Sequence, residues 1–380
     1  MSRRPEVSRR RSPCPACESL ESRALLSATA LHAGMGSHPA AEIRPAHVTA
    51  LAGTSILPTS PNLSVSTVPA NGDVNPYGVA FVPRGFPSGG TIRAGDILVS
   101  NFNAKSGLQG TGTTIVDVAP DGTSSVFFQK AGTGLTEALG VLRRGFVIVG
   151  SLPSADGTAG TLGAGSLLLL DRNGNLVAST PAISGPWGLA VNDQGSRAQV
   201  FVSNVLDGTV TRFDLKVGRD SVSIVKSTQI ASGYVHRADP AAFEIGPTAL
   251  AYDAARDTLY VAATGDNQVF AIPRAGRTRV DNGVGNVAIH DQAHLHGPIG
   301  LALGPQGTII VINGDAVNAD PNQPSEVVLY SRRGRFLAQQ PLNPGPDAGF
   351  GIAFQTAGRL FTFAAVNDIT NTVDIFRRRV

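Results

Sequence analysis

Pro186-Trp187-Gly188-Leu189-Ala190-Val191 is one of six versions of a single phrase: a proline or small residue, then Gly or Ala, then an alternating apolar run. The others are Pro76-Tyr77-Gly78-Val79-Ala80-Phe81, Ala138-Leu139-Gly140-Val141-Leu142, Pro247-Thr248-Ala249-Leu250-Ala251-Tyr252, Pro298-Ile299-Gly300-Leu301-Ala302-Leu303 and Gly349-Phe350-Gly351-Ile352-Ala353-Phe354. Their central positions, 78, 140, 188, 249, 300 and 351, are spaced by 62, 48, 61, 51 and 51 residues. A period near 50 with strand-like content is the mark of a propeller or array. It leaves the chemistry open, since one architecture hosts many functions.

Each phrase opens a unit of several strands. In the third unit Ala198-Gln199-Val200-Phe201-Val202-Ser203-Asn204 alternates, Asp207-Gly208 supplies hairpin chemistry, and Thr209-Val210-Thr211-Arg212-Phe213-Asp214 returns. The fourth, fifth and sixth units repeat the plan. Glycine at the start of the first strand fits innermost strands that crowd around an axis, and a preceding proline fits a strand start that donates nothing to a ladder. The sixth unit stops near Phe376 one strand short, while Leu63-Ser64-Val65-Ser66-Thr67-Val68 lies ahead of the first phrase without a partner. Pairing the two removes an exposed edge. The expected fold is all-β: a six-bladed β-propeller over 62–380 closed by an N-terminal strand. A seventh unit hidden in 82–130 remains an alternative.

The pattern of Pro-x-Gly-Leu-Ala, a strand ending in Asn or Asp, and a returning strand resembles the NHL-repeat and related six-bladed families over about 63–376. That resemblance implies the fold and a ligand face at the channel mouth, but no particular activity.

Residues 1–24 hold six arginines and three glutamates, leaving 25 basic and 25 acidic residues in the rest of the chain. The neutral body lacks the footprint of a nucleic-acid binder. Both cysteines, Cys14 and Cys17, lie in the leader, so a four-cysteine zinc site is excluded and no disulfide staples the ring. The basic start, the short apolar stretch Ala24–Leu31 and the small residues after it read as an export leader over 1–34. The words Leu20-Glu21-Ser22-Arg23-Ala24-Leu25-Leu26 resemble the Leu-Glu-x-Arg-x-Leu-Leu leader of exported planctomycete proteins. A disordered leader and a flexible Ala-, His-, Pro-, Ser- and Thr-rich spacer over 35–61 would then precede the propeller. The expected location is secreted or cell-envelope, the expected state a monomer, and no apolar run is long enough to span a bilayer.

Candidate site residues fall in loops facing one end of the channel. His290, His294 and His296 share one inter-blade loop and His236 lies in the preceding one; imidazoles so grouped could hold a divalent metal as a cofactor or supply a general base. The other reading of these loops is a solvated polar surface. Asn101, Asn204 and Asn313 end second strands, with Ser151 and Thr264 in equivalent places, and either line the mouth as ligand-binding groups or satisfy turn backbone. Trp187 either offers a stacking surface to a ligand or packs between blades. A calcium site would call on Glu137 and Glu244, the acids near first-strand starts. No Gly-x-Ser-x-Gly elbow or phosphate loop occurs. Two functions follow: a binding or scaffold module taking a small molecule, carbohydrate or protein at the mouth, or a hydrolase, lyase or oxidoreductase that uses the histidine face.

Overall fold

The computed structural model describes Pro58 and residues 60–240, 242–342, 348–358 and 360–379. The leader expected over 1–34, and all of the spacer but Pro58, Ser60 and Pro61, lie outside the described residues.

Leu63–Ser66 forms β1. Blade one is β2 (Val74–Phe81), β3 (Ile97–Asn103), β4 (Thr114–Val118) and β5 (Ser124–Gln129). Blade two is β6 (Leu135–Leu142), β7 (Phe146–Ser151), β8 (Ser166–Asp171) and β9 (Leu176–Ser179). Blade three is β10 (Pro186–Asp193), β11 (Arg197–Asn204), β12 (Thr209–Val217) and β13 (Val222–Ser232). A two-stranded hairpin, β14 (Arg237–Asp239) and β15 (Phe243–Ile245), precedes blade four. Blade four is β16 (Pro247–Asp253), β17 (Thr258–Ala263), β18 (Gln268–Pro273) and β19 (Asn286–Ile289). Blade five is β20 (Pro298–Leu303), β21 (Ile309–Asn313), β22 (Glu326–Tyr330) and β23 (Phe336–Pro341). Blade six is β24 (Gly349–Ala357), β25 (Leu360–Asn367), β26 (Thr372–Arg379) and, as its outermost strand, β1.

Closure runs as the unpaired ends of the sequence require. β1 lies antiparallel to β26 with Leu63 opposite Ile375 and Val65 opposite Val373, and the Asn62 N–H donates to the Ile375 carbonyl at 2.8 Å. The innermost strands touch in sequence around the ring, and β24 returns to β2. There are six blades; residues 82–130 supply blade one's own β3, β4 and β5 and the loops between them.

Every innermost strand carries a register shift at its phrase, for example between Pro76 and Gly78 and between Pro186 and Leu189. The glycines there answer a close approach of neighbouring blades. A Cβ on Gly351 would stand 2.1 Å from the Tyr77 carbonyl, and one on Gly188 would stand 2.2 Å from the Thr248 carbonyl. Hydroxyls on the second strands tie the same junctions. The Ser100 Oγ accepts from the Gly78 N–H at 3.0 Å and donates to the Thr136 carbonyl of blade two at 2.8 Å. Ser203 repeats this between Gly188 and Thr248, at 2.9 and 2.6 Å.

The structure corrects the reading of the second phrase. Leu139 pairs with Val149 as Val79 pairs with Val99 and Leu189 with Val202. The small residue equivalent to Gly78 is therefore Ala138, not Gly140, and the residue equivalent to Tyr77 and Trp187 is Glu137. Both 138 and 140 are small, so the sequence offers no reason to prefer either; the register shift between Leu135 and Leu139 decides it.

Candidate functional site: the channel mouth

The residue before the central Gly or Ala of each phrase points toward one end of the channel. In five blades these residues, Tyr77, Trp187, Thr248, Ile299 and Phe350, line a cavity of about 260 Å³. The residues two places later, Val79, Leu189, Leu250, Leu301 and Ile352, line a smaller cavity of about 50 Å³ farther along the channel. Strand alternation thus sorts one repeated phrase into two layers of lining.

The upper cavity has an aromatic floor. Tyr77 is stacked between Phe102 and Phe350, with ring centres 4.5 and 4.1 Å away. Trp187 meets Tyr77 and Phe102 edge-on at 5.8 and 5.4 Å. The indole is 1% exposed and its Nε1–H has no hydrogen-bond partner among the described residues. A buried indole N–H without an acceptor carries a desolvation cost that a ligand acceptor would relieve.

Polar groups sit around this floor: Asn75, Gln109, Glu244, Thr248, Thr264, Asp315 and Asp368. No Lys, Arg or His is among the lining residues. The Asn75 backbone is left-handed, with φ 60°, and its N–H donates to the Asn371 side chain at 2.7 Å. Glu244 is placed by the hairpin between blades three and four. There the Glu244 N–H donates to the Ala242 carbonyl at 2.8 Å across Phe243, whose φ is +66°. That is a γ-turn of the strained hand, and a bulky aromatic in it is a true conformational outlier. The Phe243 ring, edge-on to Phe102 at 5.6 Å, anchors it in the aromatic cluster. Burial raises the Glu244 carboxyl above the usual range, and the charge of His236 opposes that shift.

Blade two brings Glu137 to the phrase position where blades one, three and six bring Tyr77, Trp187 and Phe350. The Tyr77–Trp187 contact, between residues of blades one and three, spans it. Glu137 lines the lower cavity, its Oε2 has no hydrogen-bond partner, and burial holds its carboxyl well above the usual range.

Of the residues singled out in the sequence, Trp187 lines the mouth and also packs between blades. Asn101, Asn204 and Asn313 do not line it. The Asn101 Nδ2 donates to the Thr67 carbonyl and Thr114 hydroxyl, the Asn204 Nδ2 to the Thr209 and Thr211 hydroxyls, and Asn313 bridges the His296 N–H, the His294 carbonyl and Glu326. They satisfy backbone and side chains at strand ends, the turn-supporting alternative. The four histidines take separate partners. The His236 Nδ1 meets the Tyr234 carbonyl at 3.0 Å, and His290 is exposed. His294 stacks on Phe336 at 3.7 Å and meets Asp291 at 2.8 Å. His296 is buried beside the Asn318 carbonyl, 4.0 Å from Glu326. Among the described residues, no three His, Cys, Asp or Glu side chains come together as a metal-binding group. The mouth instead uses Tyr77, Phe350 and Glu244. The signal for the first two was their place in the phrase, the same as that of Trp187.

No family model matches the chain, and no curated protein matches it. Its backbone is similar to several solved structures. One is an α-L-arabinofuranosidase from Fusarium graminearum, solved with an iminosugar inhibitor: TM-score 0.51, 14% identity, covering 84% of this chain and 98% of that one. A gluconolactonase from Xanthomonas campestris gives TM-score 0.50 at 12% identity over 80% of this chain and 86% of that one. A putative glucose dehydrogenase from Thermus thermophilus gives TM-score 0.50 at 14% identity over 83% and 99%. At these identities the likeness concerns the fold alone.

Proposed function

We propose that this chain is an exported binding module whose channel mouth takes a small, uncharged, hydroxyl-rich ligand of the carbohydrate class. The observation that carries the reading is the 260 Å³ cavity with an aromatic floor, an unsatisfied Trp187 N–H and a rim of amides, hydroxyls and carboxylates. Aromatic faces cover the apolar face of a sugar ring, while carboxylates and amides accept and donate to its hydroxyls. Three carboxylates with no cationic side chain among the lining residues disfavour phosphorylated or otherwise anionic ligands.

Trp187 is the only tryptophan of the chain, so intrinsic fluorescence reports on this site alone. Titration with neutral mono- and oligosaccharides is expected to give a saturable change, weakened about tenfold or more in Glu244→Ala by loss of a charged acceptor. Silence across the neutral panel, or a response confined to sugar phosphates or amines, would overturn the reading.

A second reading, hydrolysis of the bound sugar, is favoured by one observation. Glu244 is a carboxyl raised by burial and held on a strained turn, a combination that gathers at catalytic sites. It predicts product formation by the parent chain and none by Glu244→Gln.

A further inference from the structure

The lower cavity surrounds one carboxyl with nothing to answer it. Besides Glu137, its lining side chains are Val79, Leu139, Leu189, Ala249, Leu250, Leu301 and Ile352, with Gly351 adding backbone, so all six blades contribute and no other side chain supplies a donor. Glu137 is 8% exposed and its Oε2 has no hydrogen-bond partner among the described residues. Tyr77, Trp187 and Phe350 lie in the layer between this cavity and the mouth. At about 50 Å³ the space admits one or two occupants of water size, a water's share of liquid volume being about 30 Å³. Each innermost strand pairs on one side only, so its free edge leaves backbone N–H and C=O groups unpaired by any ladder.

We infer that Glu137 and the carbonyls of the innermost strands bind a dehydrated monovalent cation of potassium or ammonium size on the channel axis. Charge balance selects the class. A single carboxylate neutralises one positive charge, whereas a divalent ion would leave a net charge among apolar side chains, which is costly. Calcium and magnesium also demand more oxygen ligands or retained waters than one carboxylate in so small a space provides. Carbonyl oxygens with one carboxylate suit a larger, weakly hydrated ion. Burial raises the Glu137 carboxyl well above the usual range, so a cation bound there competes with a proton. No other lining side chain is titratable.

The test is thermal melting of the full chain at pH 8 and constant ionic strength in potassium, ammonium or choline chloride. Potassium and ammonium should raise the midpoint by about 3 °C over choline, the increment of a ligand that binds only the folded state. Glu137→Gln should melt alike in all three salts. Equal melting of the parent in potassium and choline, or a potassium response retained by Glu137→Gln, would overturn the inference. Should that variant fail to fold, crystals of the parent soaked in thallium acetate decide. An anomalous peak beside Glu137 supports the site, and an empty axis at saturating thallium overturns it.

Discussion

At Gly351 the fold has no room for even one methyl group, because the Tyr77 carbonyl of the neighbouring blade stands where a Cβ would be. Gly351→Ala should cost about 3 kcal/mol by forcing apart two backbones that nothing flexible separates. Gly160→Ala, where the nearest atom is a threonine hydroxyl at 3.8 Å, should be close to neutral in the same denaturation experiment. Asp117 gives a second test at this scale. It is buried on β4, its Oδ1 has no partner, and burial, reinforced by the charge of Asp96, pushes it up to about 7. A group raised in the folded state contributes stability that is complete below its unfolded value near 4 and is lost as pH rises through about 7. Melting of the parent should therefore decline between about pH 4 and 7, and Asp117→Asn should flatten that decline. A parallel decline in the variant would remove Asp117 as its source.

Among the elements, β1 has the most consequence for its length. Four residues complete blade six, bury Val65 and join the two ends of the described chain. Several ladder hydrogen bonds at about 1 kcal/mol each and the burial of one valine at about 2 kcal/mol depend on it. A chain beginning at Ser60 should melt with the full-length protein, while one beginning at Tyr77 should melt well below it and aggregate through the bared edge of β26. Equal melting of the two would mean that the ring does not need this closure. β1 was legible because the sequence offered one surplus strand and one deficit. The β14–β15 hairpin was not. Its three-residue strands are too short for periodicity to register, and its γ-turn at Phe243 uses a residue type that no turn preference would place there.

For the whole molecule, export is proposed on the basic residues and short apolar stretch within 1–34 of the sequence. Fractionation of the native host with a probe against the propeller should find it in the envelope or medium. Recovery confined to the cytosol would overturn export. The ring of blades explains why the aromatic and polar lining of the mouth gathers at one end. Six innermost strands present equivalent positions to one axis, so a single layer of the repeat becomes a single pocket.

The sequence by itself determined the period, the strands of the blades and the closing partner, because alternation and turn chemistry are local properties that each blade states afresh. It also marked Trp187. The structure settled six blades against seven. Only the tertiary structure decided which residue of each phrase faces the mouth, that Ala138 rather than Gly140 is the small residue of blade two, and that Glu137 therefore stands among the aromatics. It alone gave the histidines different neighbours, although three of them lie within seven residues, and committed Asn101, Asn204 and Asn313 to strand ends. The physical reason is that a propeller site is assembled across blades. Its contacts join residues tens to hundreds of positions apart, and a one-residue shift of register reverses which side chain meets the axis.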